Sequence, residues 1–576
     1  MNLKYIVRKL NGTFTVRNVS YSLLLLNVFC FISGVLYIAI PGYILFWDVF
    51  GVILTITLFD NLFLVYLNLV KVNKRSKLGF RLYLMGFFYL VFMILAMFGM
   101  EQGNLISSST VFDSFLGGYA LTYLSYFGIL TFGIVLGLYD ILTRKNPALW
   151  NKEYGHERIK FMKNARVQQI LRKFLVVVSW SGFIFGAFCG FITVFGVFEF
   201  VTTQLTYISS QYGVFLSFIF LSNTIILLKL KRGRWERKKF RRVAIVGVFI
   251  SVALLSPLML SKVTAMDAEA RFSEAFGQNW QQEIPSEIKN YFLQTSFSPA
   301  GYYLGIPPKD CRIIENVLFY DNESIKLYFD AYMPLGKGKD LPGQNSTLIR
   351  IHGGGWVSGD KGQSNMMQMN EYFAAQGYIV FDIQYGLHDS SISGIDFITP
   401  SYNKGDFNID DMIRHIGIFT KYLGENAKIY GANLDSVFFS GGSSGGHLAS
   451  AAGLALSSGN YSNLFNQNLT VKGIIPFYPS NGQTVFFGID GKDEFIHPAK
   501  LITLDSPPCL IFQGTHDVLT YFGISNHFRD TYLAKGNNNC AIIWMLMGGH
   551  SSDVYFSGYY NQIFLYFMER FMYLYR

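Results

Sequence analysis

The chain is predicted to have two parts: an N-terminal all-α transmembrane bundle of about seven helices, and a C-terminal α/β domain built on a mostly parallel sheet. Three observations carry this expectation. Seven apolar stretches fill residues 1–262, each near the roughly 20 residues a helix needs to cross a bilayer core. Charge is divided, with 28 Lys+Arg against 9 Asp+Glu in residues 1–262 and 20 against 29 in residues 263–576. From about residue 311, β-branched and aromatic runs alternate with helix-like segments, as in a sheet with crossover helices.

The apolar stretches lie near 21–41, 44–68, 82–100, 116–138, 174–198, 207–228 and 243–261. The first is too long for a signal-peptide core and lacks a small-x-small cleavage site, so it counts as a span. Every second connection is basic: Lys71 to Arg81, Arg144 to Lys173, and Lys229 to Arg242. The connections around Pro41-Gly42, Glu101 to Ser114 and Glu199 to Gln211 hold no Lys or Arg. Positive charge favours the cytoplasmic side, which places the N-terminus there and, after seven crossings, everything beyond Lys262 on the opposite side. The basic pI of about 9.0 therefore belongs to membrane topology, and a nucleic-acid partner is not expected. Asp48 and Asp60 fall in the second stretch, where a carboxylate is costly and turns to a bundle interior or watery cavity.

Residues 263–310 read as a polar, partly helical lead-in or cap segment, and residues 311–576 as the α/β domain. Strands are predicted around ENVLFY, IKLYFDAYMP, STLIRIHGGG and YIVFDIQY, with a helix from Asp410 to Asn426. The five cysteines show no C-x-x-C, so neither a zinc site nor a disulfide framework is expected, although a bridge among Cys311, Cys509 and Cys540 stays open. Asn322, Asn345, Asn460 and Asn468 begin N-x-S/T sequons.

The chemistry is concentrated around residue 443. Val437 to Ser440 has strand character and runs into Gly441-Gly442-Ser443-Ser444-Gly445-Gly446, with helix-forming residues after it. A strand that reverses sharply into a helix needs glycines beside the strained turning residue, and G-x-S-x-G is that nucleophile elbow. Two frames fit, centred on Ser443 or on Ser444. About 90 residues upstream, His352-Gly353-Gly354-Gly355-Trp356 follows an apolar strand, and consecutive glycines let backbone N–H groups converge on an oxyanion. Downstream, Asp517 ends the predicted strand PPCLIFQG, and His550 follows another strand, Ala541 to Leu546. A serine becomes a good nucleophile when an imidazole takes its proton and a carboxylate fixes that imidazole. The order Ser, Asp, His suits strand ends along one sheet edge.

These motifs, HGGGW at 352–356, GYIVFDIQYGL at 377–387, YGANLDSVFFSGGSSGGHLA at 430–449 and PPCLIFQGTHD at 507–517, resemble the hormone-sensitive-lipase-like branch of the α/β-hydrolase esterases. The family elbow commonly reads G-D-S-A-G-G-H-L-A. Laid on Gly441 to Ala449, it implies Ser443 as nucleophile, Asp517 as acid, His550 as base, and an oxyanion hole from the N–H groups of Gly354, Gly355 and Ser444. Two departures stand out: Gly442 replaces the usual acid, and Tyr385-Gly386-Leu387 stands where many members have Tyr-Arg-Leu. Both bear on substrate and packing rather than on the triad.

Asp553 and Asp505 are reserve candidates for the acid. His447 reads as structural, and His388, His415, His497, His516 and His527 as satisfied surface or core histidines. Trp356 and Tyr385 line a pocket or pack the core. The expected activity is that of a membrane-bound serine ester hydrolase, a carboxylesterase, lipase-like enzyme or deacetylase, with no metal or organic cofactor. Its partners would be a small-molecule or lipid ester and membrane lipids. The competing readings are an acyltransferase on a lipid or glycan acceptor, and a non-catalytic seven-helix sensor or transporter with a hydrolase-like ligand-binding domain.

Overall fold

The computed structural model describes residues 16–40, 45–71, 77–109, 112–144, 165–196, 200–307, 309–322, 324–362, 365–389 and 399–576. Lys4, Arg8, Lys9, Pro41-Gly42, Lys74-Arg75 and most of the basic stretch between Arg144 and Lys173 lie outside them. Eight helices come first: α1 (Val16–Ala39), α2 (Leu45–Lys71), α3 (Lys77–Ser109), α4 (Phe112–Arg144), α5 (Ala165–Phe195), α6 (Phe200–Gln211), α7 (Gly213–Lys231) and α8 (Arg237–Phe276). All but α6 are long and apolar enough to cross a membrane, which makes seven among the described residues.

Several spans differ from their sequence outlines: the third runs on past residue 100 to Ser109, and the fifth begins at Ala165 rather than 174. The sixth begins at Gly213 rather than 207, where Gly213 packs so tightly on the Leu254 carbonyl of α8 that a Cβ would overlap it. Residues 200–211 form the separate helix α6. The seventh continues to Phe276, well into the stretch read as lead-in. Its extension is held by aromatic contacts to the last helix of the chain, α14 (Tyr559–Tyr575): Phe272 to Phe567 at 5.2 Å and Phe276 to Phe571 at 5.1 Å. Asp48 and Asp60 are both partly buried on α2. Asn61, beside Asp60, exchanges paired hydrogen bonds with Asn27 of α1 at 3.0 Å.

The C-terminal sheet has eight strands: β1 (Arg312–Asp321), β2 (Lys326–Met333), β3 (Ser346–Ile351), β4 (Ile379–Ile383), β5 (Asn433–Gly442), β6 (Val471–Phe477), β7 (Cys509–Gly514) and β8 (Cys540–Met545). Their spatial order is β1-β2-β4-β3-β5-β6-β7-β8. Only the β1–β2 and β2–β4 pairs are antiparallel; β4–β3 through to β7–β8 are parallel. Strands β3, β4, β7 and β8 are buried along their whole length, as strands covered on both faces must be. Four crossover helices matter here: α10 (Met367–Ala375), α11 (Ile409–Tyr430), α12 (Ser444–Ser458) and α13 (Phe522–Ala534). Helix α11 opens with a capping box between Asn408 and Asp411 and closes on Gly431 in the left-handed region. All five cysteines are free thiols, including Cys509 and Cys540, which face each other across β7 and β8.

The bundle and the sheet share one apolar core. A continuous cluster runs from Leu23 and Leu54 in the first helices, through Phe215, Leu254 and Phe272, to Leu348, Phe438 and Phe512 on one face of the sheet. The short helix α9 (Pro299–Leu304) plugs into the bundle. There the Tyr303 and Thr55 hydroxyls meet at 3.1 Å, and Asn104 donates to the Tyr303 carbonyl at 3.2 Å. Tyr37 and Tyr119 donate to the carbonyls of Gly305 and Ile306. Tyr302 stacks between Phe215 and Tyr559 and donates to the Gln211 carbonyl at 2.8 Å. A fully buried Glu569 on α14 accepts from the Leu293 N–H, the Tyr372 hydroxyl and Arg570 at 2.7 Å each, and from Gln376 at 3.0 Å. This ties the segment after α8 to α10 and α14.

Candidate active site

The sharp turn from β5 into α12 puts Ser443 at φ +56, ψ −119, a strained conformation for a residue with a side chain. It persists because the backbone around it is interlocked: a Cβ at Gly445 would overlap the Ile351 and His352 carbonyls at the end of β3. The same packing sets the elbow directly against the 352–356 turn. Ser443 is partly accessible, whereas Ser444 is buried at the start of α12.

His550, in the loop after β8, brings Nε2 to 3.1 Å from Ser443 Oγ. Its Nδ1 lies 2.9 Å from Asp517 Oδ2, in the loop after β7. With the Asp517 carboxylate oxygen accepting from Nδ1–H, the Nε2 lone pair faces the serine hydroxyl. Asp517 is itself held in place. It accepts from the N–H groups of Leu519 and Thr520 at 3.0 and 2.9 Å, and from the Thr520 hydroxyl at 2.7 Å. Gln513 reaches the same carboxylate at 3.3 Å and is anchored by Ser525. The three sequence candidates Ser443, Asp517 and His550 therefore meet in one relay.

Gly354 and Gly355 have φ +121 and +63, and the Gly354 carbonyl accepts from Val357 and Ser358 to close the turn. Among the described residues, the N–H groups of Gly354, Gly355 and Ser444 donate to no acceptor. They are free to serve an oxyanion beside Ser443. His352 stacks on Tyr385 at 4.5 Å, and Tyr385 donates to the His352 carbonyl at 3.1 Å, so Tyr385 braces this turn from the core.

Neither reserve acid hydrogen-bonds to His550. Asp553 is half-buried beside Tyr478, its carboxyl is pushed up by desolvation, and it accepts from the Tyr478 hydroxyl at 2.7 Å. Asp505 is exposed. The Trp356 ring N–H donates to His447 Nδ1, and His447 Nε2 meets the Phe495 carbonyl at 2.8 Å, a structural role. His415 accepts from the Gly386 N–H, and His388 contacts the Phe407 carbonyl. His516 packs against Gly196 at the end of α5. His497 and His527 line a cleft of about 830 Å³ that also includes Asn481, Gly482, Phe486 and Tyr521.

Three neighbours of the relay carry no sequence signal of their own. The buried Ser480 has its hydroxyl 3.3 Å from Ser443 Oγ, and its N–H donates to the Ser443 carbonyl. Thr520 clamps the acid, and Tyr478 packs its ring 4.5 Å from that of His550. Lone hydroxyls are too common to single out. Only an acid followed three residues later by Thr, as in a turn closed by an aspartate, could have flagged Thr520.

The family model BD-FAE, of an α/β-hydrolase-type esterase family, matches residues 329–489. That segment runs from β2 through the glycine turn and the elbow and ends before Asp517 and His550. No curated protein matches the chain. Among solved structures, it is similar to the apo form of Thermogutta terrifontis esterase 2, at 19% identity over 46% of this chain and 91% of that one, TM-score 0.34. The same esterase phosphoramylated by tabun gives 20% identity over 43% and 86%, TM-score 0.33. A tributyrin phosphonate-inhibited esterase B from Lactobacillus rhamnosis gives 18% over 52% and 88%, TM-score 0.33.

Proposed function

We propose that this chain is a membrane-bound serine ester hydrolase, with the bundle of residues 1–262 embedded, the 263–310 segment joining it to the enzyme, and the 311–576 domain catalytic. The observation that carries the reading is the unbroken relay from Asp517 Oδ2 to His550 Nδ1 at 2.9 Å and from His550 Nε2 to Ser443 Oγ at 3.1 Å. Ser443 Oγ attacks the ester carbonyl while Nε2 takes its proton, and the carbonyl oxygen becomes an anion held by the N–H groups of Gly354, Gly355 and Ser444. The imidazolium, stabilised by Asp517, returns the proton to the departing alcohol as the C–O bond breaks. A water then loses a proton to His550, attacks the acyl-serine, and releases the carboxylic acid with Ser443 restored. The placement in the hormone-sensitive-lipase-like branch is part of this proposal and rests on the four motifs.

For topology, the basic helix ends support a cytoplasmic side remote from the enzyme. Lys71, Arg144, Lys231 and Arg237 all close or open their helices at the ends opposite to those that reach the sheet. The Arg232 side chain donates to the Val70 carbonyl at 3.1 Å, so at least two of these ends share one level.

The test is turnover of p-nitrophenyl acetate and butyrate by membranes carrying the wild type, Ser443→Ala or Ser444→Ala, with fluorophosphonate labelling alongside. Loss of turnover and label in Ser443→Ala alone is the expected result, because Ser444 contributes only its backbone N–H. A wild type that neither turns over these esters nor labels would overturn the reading.

A further inference from the structure

The loops that hold the acid and the base do not stand clear of the bundle. Met547, three residues before His550, accepts a contact from the Ser256 hydroxyl of α8 at 3.3 Å. Gly549 packs against Thr206 and Tyr207 of α6, a Cβ there lying 3.1 Å from the Tyr207 nitrogen. His516, the residue before Asp517, lies against Gly196 at the end of α5, with its ring 3.3 Å from where a Cβ would be.

The depth of these contacts follows from the helices. On α8, exposed apolar side chains run from Ile245 through Phe249 and Met259, and the first exposed charge beyond them is Lys262. Residues 243–261 rise about 28 Å at 1.5 Å per residue, close to the ~30 Å of a hydrocarbon core, so Lys262 marks its edge. Ser256 is six residues short of that edge, roughly 9 Å inside it. On α5, Gly190 faces Ala253 of α8, a Cβ there lying 3.2 Å from the Ala253 Cβ. The two helices run in the same direction, so Gly196 reaches the level of Met259, about 5 Å inside the edge. Beside it, Phe191 and Phe195 are 57% and 65% exposed and Met259 67%, apolar side chains at the level of that hydrocarbon core. The opposite side of the relay is polar. Asn481 follows Ser480, its amide is buried without a partner among the described residues, and it opens into the 830 Å³ cleft with His497, Lys500 and His527.

We propose that the ester cleaved at Ser443 is a bilayer-resident lipid ester. It enters sideways from the membrane half next to the sheet, along the α5–α8 edge, with its polar part turned toward the cleft. This rests on the esterase reading above and names its substrate class. Hydrolysis at that depth consumes one water and gives a fatty acid and the lipid alcohol, with no other reactant. A site that served soluble esters would have no reason to seat both catalytic loops below the apolar edge.

The test uses the full chain reconstituted in vesicles of ether-linked phosphatidylcholine, which offers no ester of its own. The vesicles contain either dioleoylglycerol or dioleoylphosphatidylglycerol, and released oleate is measured beside p-nitrophenyl acetate turnover in the same vesicles. Oleate release is expected from at least one lipid. Diluting that lipid fourfold with ether lipid at constant bulk amount is expected to lower its rate about fourfold, because the effective concentration is the one in the surface. p-Nitrophenyl acetate turnover should not change. Turnover of p-nitrophenyl acetate with Ser443 labelled but no oleate from either lipid would overturn the inference and leave the esterase standing. Silence on all three esters with no label would remove the esterase reading and this inference with it.

Discussion

The ring N–H of Trp356 donates to Nδ1 of His447 across 3.2 Å, joining the glycine turn at 353–355 to helix α12 behind Ser443. Because Nδ1 accepts, Nε2 carries the proton and donates to the Phe495 carbonyl. His447 is thus held neutral, its pKa pushed down to about 4 mainly by burial. His415 is pushed down to about 4 by the same cause and accepts from the Gly386 N–H.

Both histidines make stability depend on pH. Unfolded, each binds a proton near the ordinary histidine value of about 6.5, whereas folded each stays neutral until about pH 4. Stability is therefore complete above the unfolded value and falls as pH drops from about 6.5 toward 4, by on the order of 3 kcal/mol per histidine. Thermal unfolding of detergent-solubilised protein between pH 7.5 and 5 should show a falling Tm. In His447→Gln about half of that slope should disappear.

Asp517 and Asp553 both lie near His550, but only Asp517 touches its ring nitrogen. Asp517→Asn should lower kcat for p-nitrophenyl butyrate by about 10⁴-fold, because the amide favours the wrong tautomer. Asp553→Asn keeps an acceptor for Tyr478 and should stay within about tenfold of wild type. Steady-state kinetics of the two variants side by side decides between the acids.

Thr520→Val removes the hydroxyl that donates to Asp517 at 2.7 Å while keeping the shape of the side chain. A neutral donor to a charged acceptor is worth about 1.5–3 kcal/mol, so kcat should fall roughly 10- to 100-fold with KM little changed. An unchanged kcat would show that the backbone donors of Leu519 and Thr520 hold the acid by themselves.

Glu569 receives four hydrogen bonds in the core between α14, α10 and the segment before α9. Burial pushes its carboxyl up to about 6, and Arg570 beside it opposes that shift. Glu569→Ala leaves Arg570 buried without its partner and should cost about 3–5 kcal/mol. The expected signs are a lower Tm and greater sensitivity to proteolysis around Leu293.

Expressed alone, residues 263–576 would bare Tyr302 and Tyr555, which Phe215 and Tyr212 of the bundle now cover. The fragment should aggregate, as size-exclusion chromatography would reveal. A monodisperse fragment would mean that the shared core is dispensable.

The parts of the fold that sequence displays are those with local patterns. The seven apolar runs declare themselves through composition, strands β3, β4, β5, β7 and β8 through short apolar runs between turn signals, and Ser443, Asp517 and His550 each follow the end of a strand. Contacts between distant segments have no such signature. Nothing near Pro299–Leu304 indicates that Tyr303 will meet Thr55, 248 residues away. The continuation of α8 to Phe276 is stabilised by Phe567 and Phe571 from the far end of the chain, while its own residues 263–276 read as polar. Strand β6, which brings Ser480 to the nucleophile, is interrupted by Gly473 and Pro476 and lacks clear alternation.

Helix α8 passes from the apolar bundle to the face of the sheet in 40 residues without a break, about 60 Å of rod. An enzyme hung on a supple tether sweeps a hemisphere and meets whatever drifts near. Under the proposed embedding, a rod gripped at both ends gives Ser443 a fixed working height, and the molecules it would meet are those in a thin slab of space parallel to the membrane.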